Sequence, residues 1–168
     1  MKKSVLFLGI VFALILCACS KEEPGPSGGL NDTTWVPVWS KGEIVAPEYT
    51  VSWDGPVDDS GCLNSTYERD GRIIEYSMSF VGYHFYRDKR TNLYSTFSPG
   101  LQNTGGTPGK YYVEGGKLYL ERIASSGSPY SSASHSDPEP TGVYESYVLE
   151  EFTPDRMTFS GVTYEKRR

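Results

Sequence analysis

After Trp35, apolar and polar residues alternate along most of the chain, and no window of ten repeats apolar residues at three- and four-residue spacing. That period belongs to strands, whose successive side chains point to opposite faces. The clearest case is Lys110-Tyr111-Tyr112-Val113-Glu114, then Gly115-Gly116, then Lys117-Leu118-Tyr119-Leu120-Glu121. Two glycines between alternating runs suit a two-residue hairpin turn that needs positive φ. A turn there sets the register: Glu114 faces Lys117, Val113 faces Leu118, Tyr112 faces Tyr119, Tyr111 faces Leu120 and Lys110 faces Glu121. Tyr111, Val113, Leu118 and Leu120 then share one face, and the charged pairs and a Tyr pair share the other. A slip of one residue would bury the charges, so the register is well specified.

The same alternation predicts a half-buried strand through Ile74, Tyr76, Met78 and Phe80, and a hairpin of Tyr83–Tyr86 with Leu93–Phe97 across a polar turn, Arg87 to Asn92. Val143 to Phe152 is expected to meet Met157 to Ser160 through Thr153-Pro154-Asp155-Arg156, where Pro presets φ for a tight turn. Gly161 is expected to kink or bulge the chain before Val162-Thr163-Tyr164. Thr34–Trp39 and Tyr49–Trp53 are weaker strands, and Pro37 puts the first at an edge or a bend. Eight to ten short strands in sequential hairpins predict an all-β chain, as an antiparallel up-and-down barrel or, alternatively, a β-sandwich.

The first residues follow another pattern. Lys2 and Lys3 precede an apolar run from Val5 to Leu16, about a dozen residues, short of the ~20 that span a bilayer, so a secretory signal fits better than a membrane helix. Leu16-Cys17-Ala18-Cys19 resembles the lipobox of bacterial lipoproteins, with small Ala18 before the lipidated Cys19; modification at Cys17 would put bulky Leu16 at the cleavage position. Ser20-Lys21-Glu22-Glu23 resembles the signal that exports lipoproteins of the Bacteroidetes to the outer face of the outer membrane. Pro24-Gly25-Pro26-Ser27-Gly28-Gly29 reads as a flexible spacer. The organisation expected is a signal peptide at 1–18, a lipidated cysteine and tether at 19–31, and a folded domain at 32–168.

Processing changes the composition. The 168 residues carry 16 Lys+Arg against 21 Asp+Glu, net −5; removing residues 1–18 takes Lys2 and Lys3 but no acid, leaving 150 residues at −7. That charge argues against nucleic acid, whose phosphates need a basic surplus. Of three cysteines, one is removed, Cys19 takes lipid and Cys62 stands alone, expected as a buried, inert thiol. The fold must therefore hold by burial and not by a disulfide.

Trp35 near the mature start, the Phe85 strand ending in a polar turn, Gly109-Lys-Tyr-Tyr-Val-Glu-Gly-Gly-Lys-Leu-Tyr-Leu, Tyr147-Val-Leu, Thr153-Pro-Asp-Arg-Met-Thr-Phe and the final Tyr164-Glu-Lys-Arg together resemble the lipocalin-like lipoproteins of Bacteroidetes. The likeness covers residues 32 to 168 and is strongest after Gly109. It departs in lacking the Gly-x-Trp context at Trp35 and an Asp-Gly after Arg87, and in the insertion from Ser125 to Thr141. It implies a small calycin-type barrel anchored through Cys19 on the outer membrane, exposed at the cell surface. Its inward residues would line a site for a small apolar or glycan ligand, for which the candidates are Trp35, Tyr76, Phe85, Tyr111, Leu118 and Tyr147. A protein or host-surface interaction module with a filled core is the alternative.

No catalytic residue, metal site or cofactor is implied. His135 stands near Ser134 and Asp137 on one Ser-rich loop, and neighbours on a loop do not supply the separately held members of a triad; that loop is expected to be a rim over the barrel mouth. Asp54, Asp58 and Asp59, with Glu68 or Asp70, surround Gly55, Pro56 and Gly61, but their spacing is not that of a calcium loop. His84 and His135 have no cysteine close by for zinc. Asp32-Thr33-Thr34 resembles a short O-glycosylation acceptor of the same phylum. Most of the 13 tyrosines are accounted for by the preference of strands for aromatic residues.

Overall fold

The computed structural model describes residues 27–100, 108–123 and 140–167, and the expected signal peptide, Cys19 and residues 124–139, with His135, lie outside them. The chain is all-β. Among the described residues there are twelve strands: β1 Thr33–Ala46, β2 Tyr49–Pro56, β3 Cys62–Arg69, β4 Arg72–Ser79, β5 Gly82–Asp88, β6 Thr91–Phe97, β7 Gly109–Glu114, β8 Lys117–Ile123, β9 Pro140–Val148, β10 Glu151–Phe152, β11 Arg156–Phe159 and β12 Val162–Lys166. The main antiparallel sheet runs β10-β11-β12-β1-β5-β6-β7-β8-β9. Its two outermost strands are consecutive in the chain, and the link between them changes partner. The Leu149 N–H donates to the Gly116 carbonyl at 2.9 Å, and the Glu150 N–H donates to the Thr158 carbonyl at 2.9 Å. The sheet is thereby rolled up, as in a barrel.

One core lies inside the roll. Leu30, Trp35, Phe85, Tyr94, Tyr111, Leu118, Leu120, Met157, Phe159, Val162 and Tyr164 are buried together, with Phe80, Tyr83, Val113, Tyr147 and Leu149 packed against them. Leu30 corrects the expected boundary of the tether. It is fully buried, and Asn31 accepts a hydrogen bond from the Tyr111 hydroxyl at 2.6 Å, so the folded domain begins before residue 32.

The β7–β8 hairpin has the expected turn and four expected pairs, Glu114↔Lys117 to Tyr111↔Leu120. Gly115 and Gly116 have φ of 56° and 74°. The fifth pair differs. Glu121 is 2% exposed, and its carboxylate accepts the Lys110 N–H at 3.0 Å and the Gly142 N–H at 2.8 Å. β8 shifts register against β9 at this place, between Glu121 and Ile123, and the carboxylate serves the amides that the irregularity leaves over. The β5–β6 turn is tighter than expected, because pairing continues to Asp88↔Thr91. Gly161 does not kink a strand; with Ser160 (φ 52°) it forms the β11–β12 turn at φ 71°. Pro37 lies in a central strand, at a register shift between Pro37 and Trp39, so the expected bend is present and the edge is not.

The distal half of β1 leaves the roll and pairs with β2 from Trp39↔Pro56 to Ala46↔Tyr49. The β3–β4 hairpin pairs from Cys62↔Ser79 to Arg69↔Arg72. Together they form an arm with its own cluster, Val57, Leu63 and Met78, against which Trp53, Tyr76 and Phe80 pack. Its tip is tied by Tyr49 stacked on Tyr67 at 4.9 Å, the Arg69 guanidinium 5.6 Å from the Tyr49 ring centre, and an Arg69–Glu48 ion pair. β1 is the shared strand, running 14 residues, or about 45 Å at the strand rise, from Thr33 to the arm tip at Ala46.

Candidate functional site

The alternation that makes β1, β5, β7 and β8 into strands turns Trp35, Phe85, Tyr111 and Leu118 to one interior. Their exposures are 2%, 0%, 3% and 0%, and Phe85 meets Tyr111 edge-on at 4.8 Å. Tyr147, on β9, packs on the same core with its ring 5.5 Å from Phe159. Tyr76 is elsewhere: it belongs to the arm cluster with Leu63 and Met78. Five of the six candidate residues are thus brought together, and they touch one another and their neighbours.

Tyr83, Tyr94, Tyr147 and Tyr164 line the middle of this interior around Phe159. Tyr94 donates to the Glu121 carbonyl at 2.6 Å, and Tyr147 donates to the Glu145 carboxylate at 2.6 Å. Glu145 also meets Arg122 at 3.2 Å. Tyr83 and Tyr164 are hydrogen-bonded to each other, and burial raises the pKa of both, Tyr83 to about 12. Burial also pushes Tyr94 to about 12 and raises Tyr147, which the Glu145 charge raises further. These phenols are neutral near pH 7 and act as hydrogen-bond donors, not as bases.

Other polar groups are engaged in local structure. The Asp58 carboxylate accepts the Ser60 N–H and hydroxyl at 2.9 and 2.6 Å and the Cys62 N–H at 2.9 Å, and these bonds hold its pKa below the ordinary carboxylate value. Asp54 is lowered by the Trp39 Nε1–H at 2.8 Å and by Lys41 at 3.0 Å. No group of three His, Cys, Asp or Glu among the described residues could hold a metal ion. His84 Nδ1 is 3.0 Å from the Thr34 hydroxyl, and its ring stacks on Tyr86. Thr33, of the possible glycosylation sequence, is buried, with its hydroxyl bonded to the Leu30 carbonyl and to the Trp35 Nε1–H. Cys62 is half-buried, not buried as expected, with Sγ 3.5 Å from the Ser79 hydroxyl.

Among the described residues, hollows on the outside include two that touch the candidate residues Tyr76 and Trp35. One, about 680 Å³, lies on the arm against Asn64, Ser65, Thr66, Glu75, Tyr76 and Ser77. Tyr76 thus borders this hollow and also packs on the cluster with Leu63 and Met78. The other, about 340 Å³, lies at the tether end against Gly28, Gly29, Trp35, Phe152, Thr153, Pro154 and Lys166. Sequence reasoning named Trp35 there and missed Phe152, Pro154 and Lys166. Pairing of β1 with β12 and of β12 with β11 joins these distant residues, and no local spacing signals it.

No family model, no curated protein and no solved structure matches this chain.

Proposed function

We propose that this chain is a non-catalytic, lipid-anchored binding module of the outer membrane, exposed at the cell surface, that engages a protein or host-surface partner through its outer face. The lipobox-like segment ending at Cys19 and the acidic residues after it support the anchor. The observation that carries the mode of action is the packed interior: Trp35, Phe85, Tyr111 and Leu118, the residues best placed to line a barrel cavity, are covered by one another and their neighbours. The outside carries what the inside lacks, since Val45 and Ile73 on the arm are 73% and 79% exposed.

Titration of the purified mature chain with benzene, followed by thermal unfolding, tests the filled interior. No stabilisation is expected for the wild type, whereas Leu118→Ala opens a dry void that benzene fills and restabilises. Benzene binding to the wild type that Leu118→Trp abolishes would overturn it. Intact mass of the membrane-extracted protein tests the anchor: acyl mass on Cys19 is expected, and an unmodified or Cys17-linked N-terminus refutes it. Val45→Asp with Ile73→Asp tests the arm, and should abolish surface cross-links to a partner without changing the unfolding temperature. A small apolar or glycan ligand remains the second reading, favoured by the hollow that Phe152 and Pro154 line beside Trp35.

A further inference from the structure

The geometry points to the hollow at the tether end as a binding site for an anionic amphiphile, a molecule with one acidic head group and an apolar body. This site lies outside the packed interior and is independent of the partner surface on the arm. Trp35, only 2% exposed, borders it from the core side, and Phe152 and Pro154 form an apolar wall. Phe152 is 40% exposed, apolar surface left open beside a concavity. Gly28 and Gly29 provide the opposing backbone, and Val113 packs so closely under Gly28 that a Cβ there would meet it at 2.8 Å.

The cation is Lys166. Its backbone N–H is fixed to the Asp155 carbonyl at 2.9 Å, while its ammonium has no ion-pair partner among the described residues. The neighbouring Arg156 is paired with Glu151 at 3.6 Å. An unmatched ammonium on the rim of an apolar hollow complements an anionic head above an apolar tail, and a neutral apolar ligand would leave it unused. Position adds a further argument. Gly28 follows the proposed lipidated Cys19 by nine residues, at most about 30 Å of extended chain, so the hollow can come no farther than that from the lipid surface. An acidic lipid of that membrane and a free long-chain acid present the same chemistry.

The test uses the purified mature chain, with dodecanoate below its micelle concentration, dodecanol as the neutral counterpart, and vesicles of phosphatidylcholine with or without phosphatidylglycerol. Saturable dodecanoate binding is expected, with dodecanol weaker by about tenfold, the preference a charge-assisted contact gives. Lys166→Gln should remove that preference and Lys166→Arg keep it, and Phe152→Ser should weaken both ligands; unchanged unfolding temperatures show that the variants fold. Phosphatidylglycerol-dependent vesicle binding lost in Lys166→Gln assigns the membrane as source, and dodecanoate binding alone assigns a free acid. Equal affinity for dodecanoate and dodecanol, or full preference retained by Lys166→Gln, overturns the proposal. Neither result bears on the partner surface, which Val45→Asp and Ile73→Asp test separately.

Discussion

The rolled sheet and the arm share β1 but are held together differently. The roll surrounds eleven buried residues drawn from β1, β5, β6, β7, β8, β11, β12 and the segment before β1. The arm surrounds a cluster of three, Val57, Leu63 and Met78, with Val51 buried on β2 apart from it, and closes its tip with one ring pair, one cation over a ring and an ion pair. Burial scales with apolar area removed from water, whereas exposed ion pairs contribute about 0–1 kcal/mol. The roll therefore sets the global stability, and the arm is an appended unit of lower local stability.

Core truncation should separate the two most strongly. Phe85→Ala is expected to cost about 3–5 kcal/mol by loss of transfer energy and a residual cavity; chemical denaturation checks it, and both units should unfold together. Leu63→Ala should cost less, about 2 kcal/mol, because its cluster is small and can collapse, with hydrogen exchange accelerated in β2–β4 and not in β5–β8. Equal losses at both sites would show one cooperative unit.

Removing Glu121 is the next largest effect. Glu121→Ala leaves the Lys110 and Gly142 amides without their acceptor and should cost about 2–3 kcal/mol, read by denaturation. Glu121→Gln, which keeps one acceptor oxygen, should retain part of that. Alkali should act on the roll through its tyrosines. Tyr83 and Tyr94 are raised from the ordinary 10 to about 12. The folded chain thus holds protons that the unfolded chain releases, and stability is intact below pH 10 and lost as the pH rises towards 12. For Tyr83, the loss is about 1.4 kcal/mol per pH unit. Tyrosinate absorbance and loss of the folded circular dichroism signal should rise together, and Tyr83→Phe should blunt the coupling. Arg69→Ala, at the arm tip, should cost less than about 1 kcal/mol and show itself only as faster exchange near Glu48 and Tyr67.

The roll was also the more legible region in the sequence. Gly115-Gly116 announced its own turn, and the alternation on either side fixed Tyr111, Leu118 and Leu120 to one face. β3 was missed because Ser65 occupies a position on the side of Leu63 and Tyr67 where an apolar residue would have completed the pattern. Leu30 was read as tether because it stands alone after Gly28-Gly29, and its burial depends on strands far along the chain. Glu121 was read as an exposed charge because the irregularity opposite it could not be read from β8 alone. The site was least legible: aromatic character selected Trp35, Phe85 and Tyr111, whose rings are used in packing, while Lys166 and Phe152 acquire meaning only from the strand order.

The sharing of β1 also decides how the molecule bears load. A pull on the arm tip, resisted at the chain that precedes Thr33, enters β1 near Ala46 and leaves it near Thr33, along the strand axis. Both points lie on one continuous strand, so the covalent backbone of β1 carries the force and the β1–β12 pairs from Trp35↔Lys166 to Ser40↔Val162 are not sheared by it. The strand that carries the arm outward therefore shields the rolled sheet from the load.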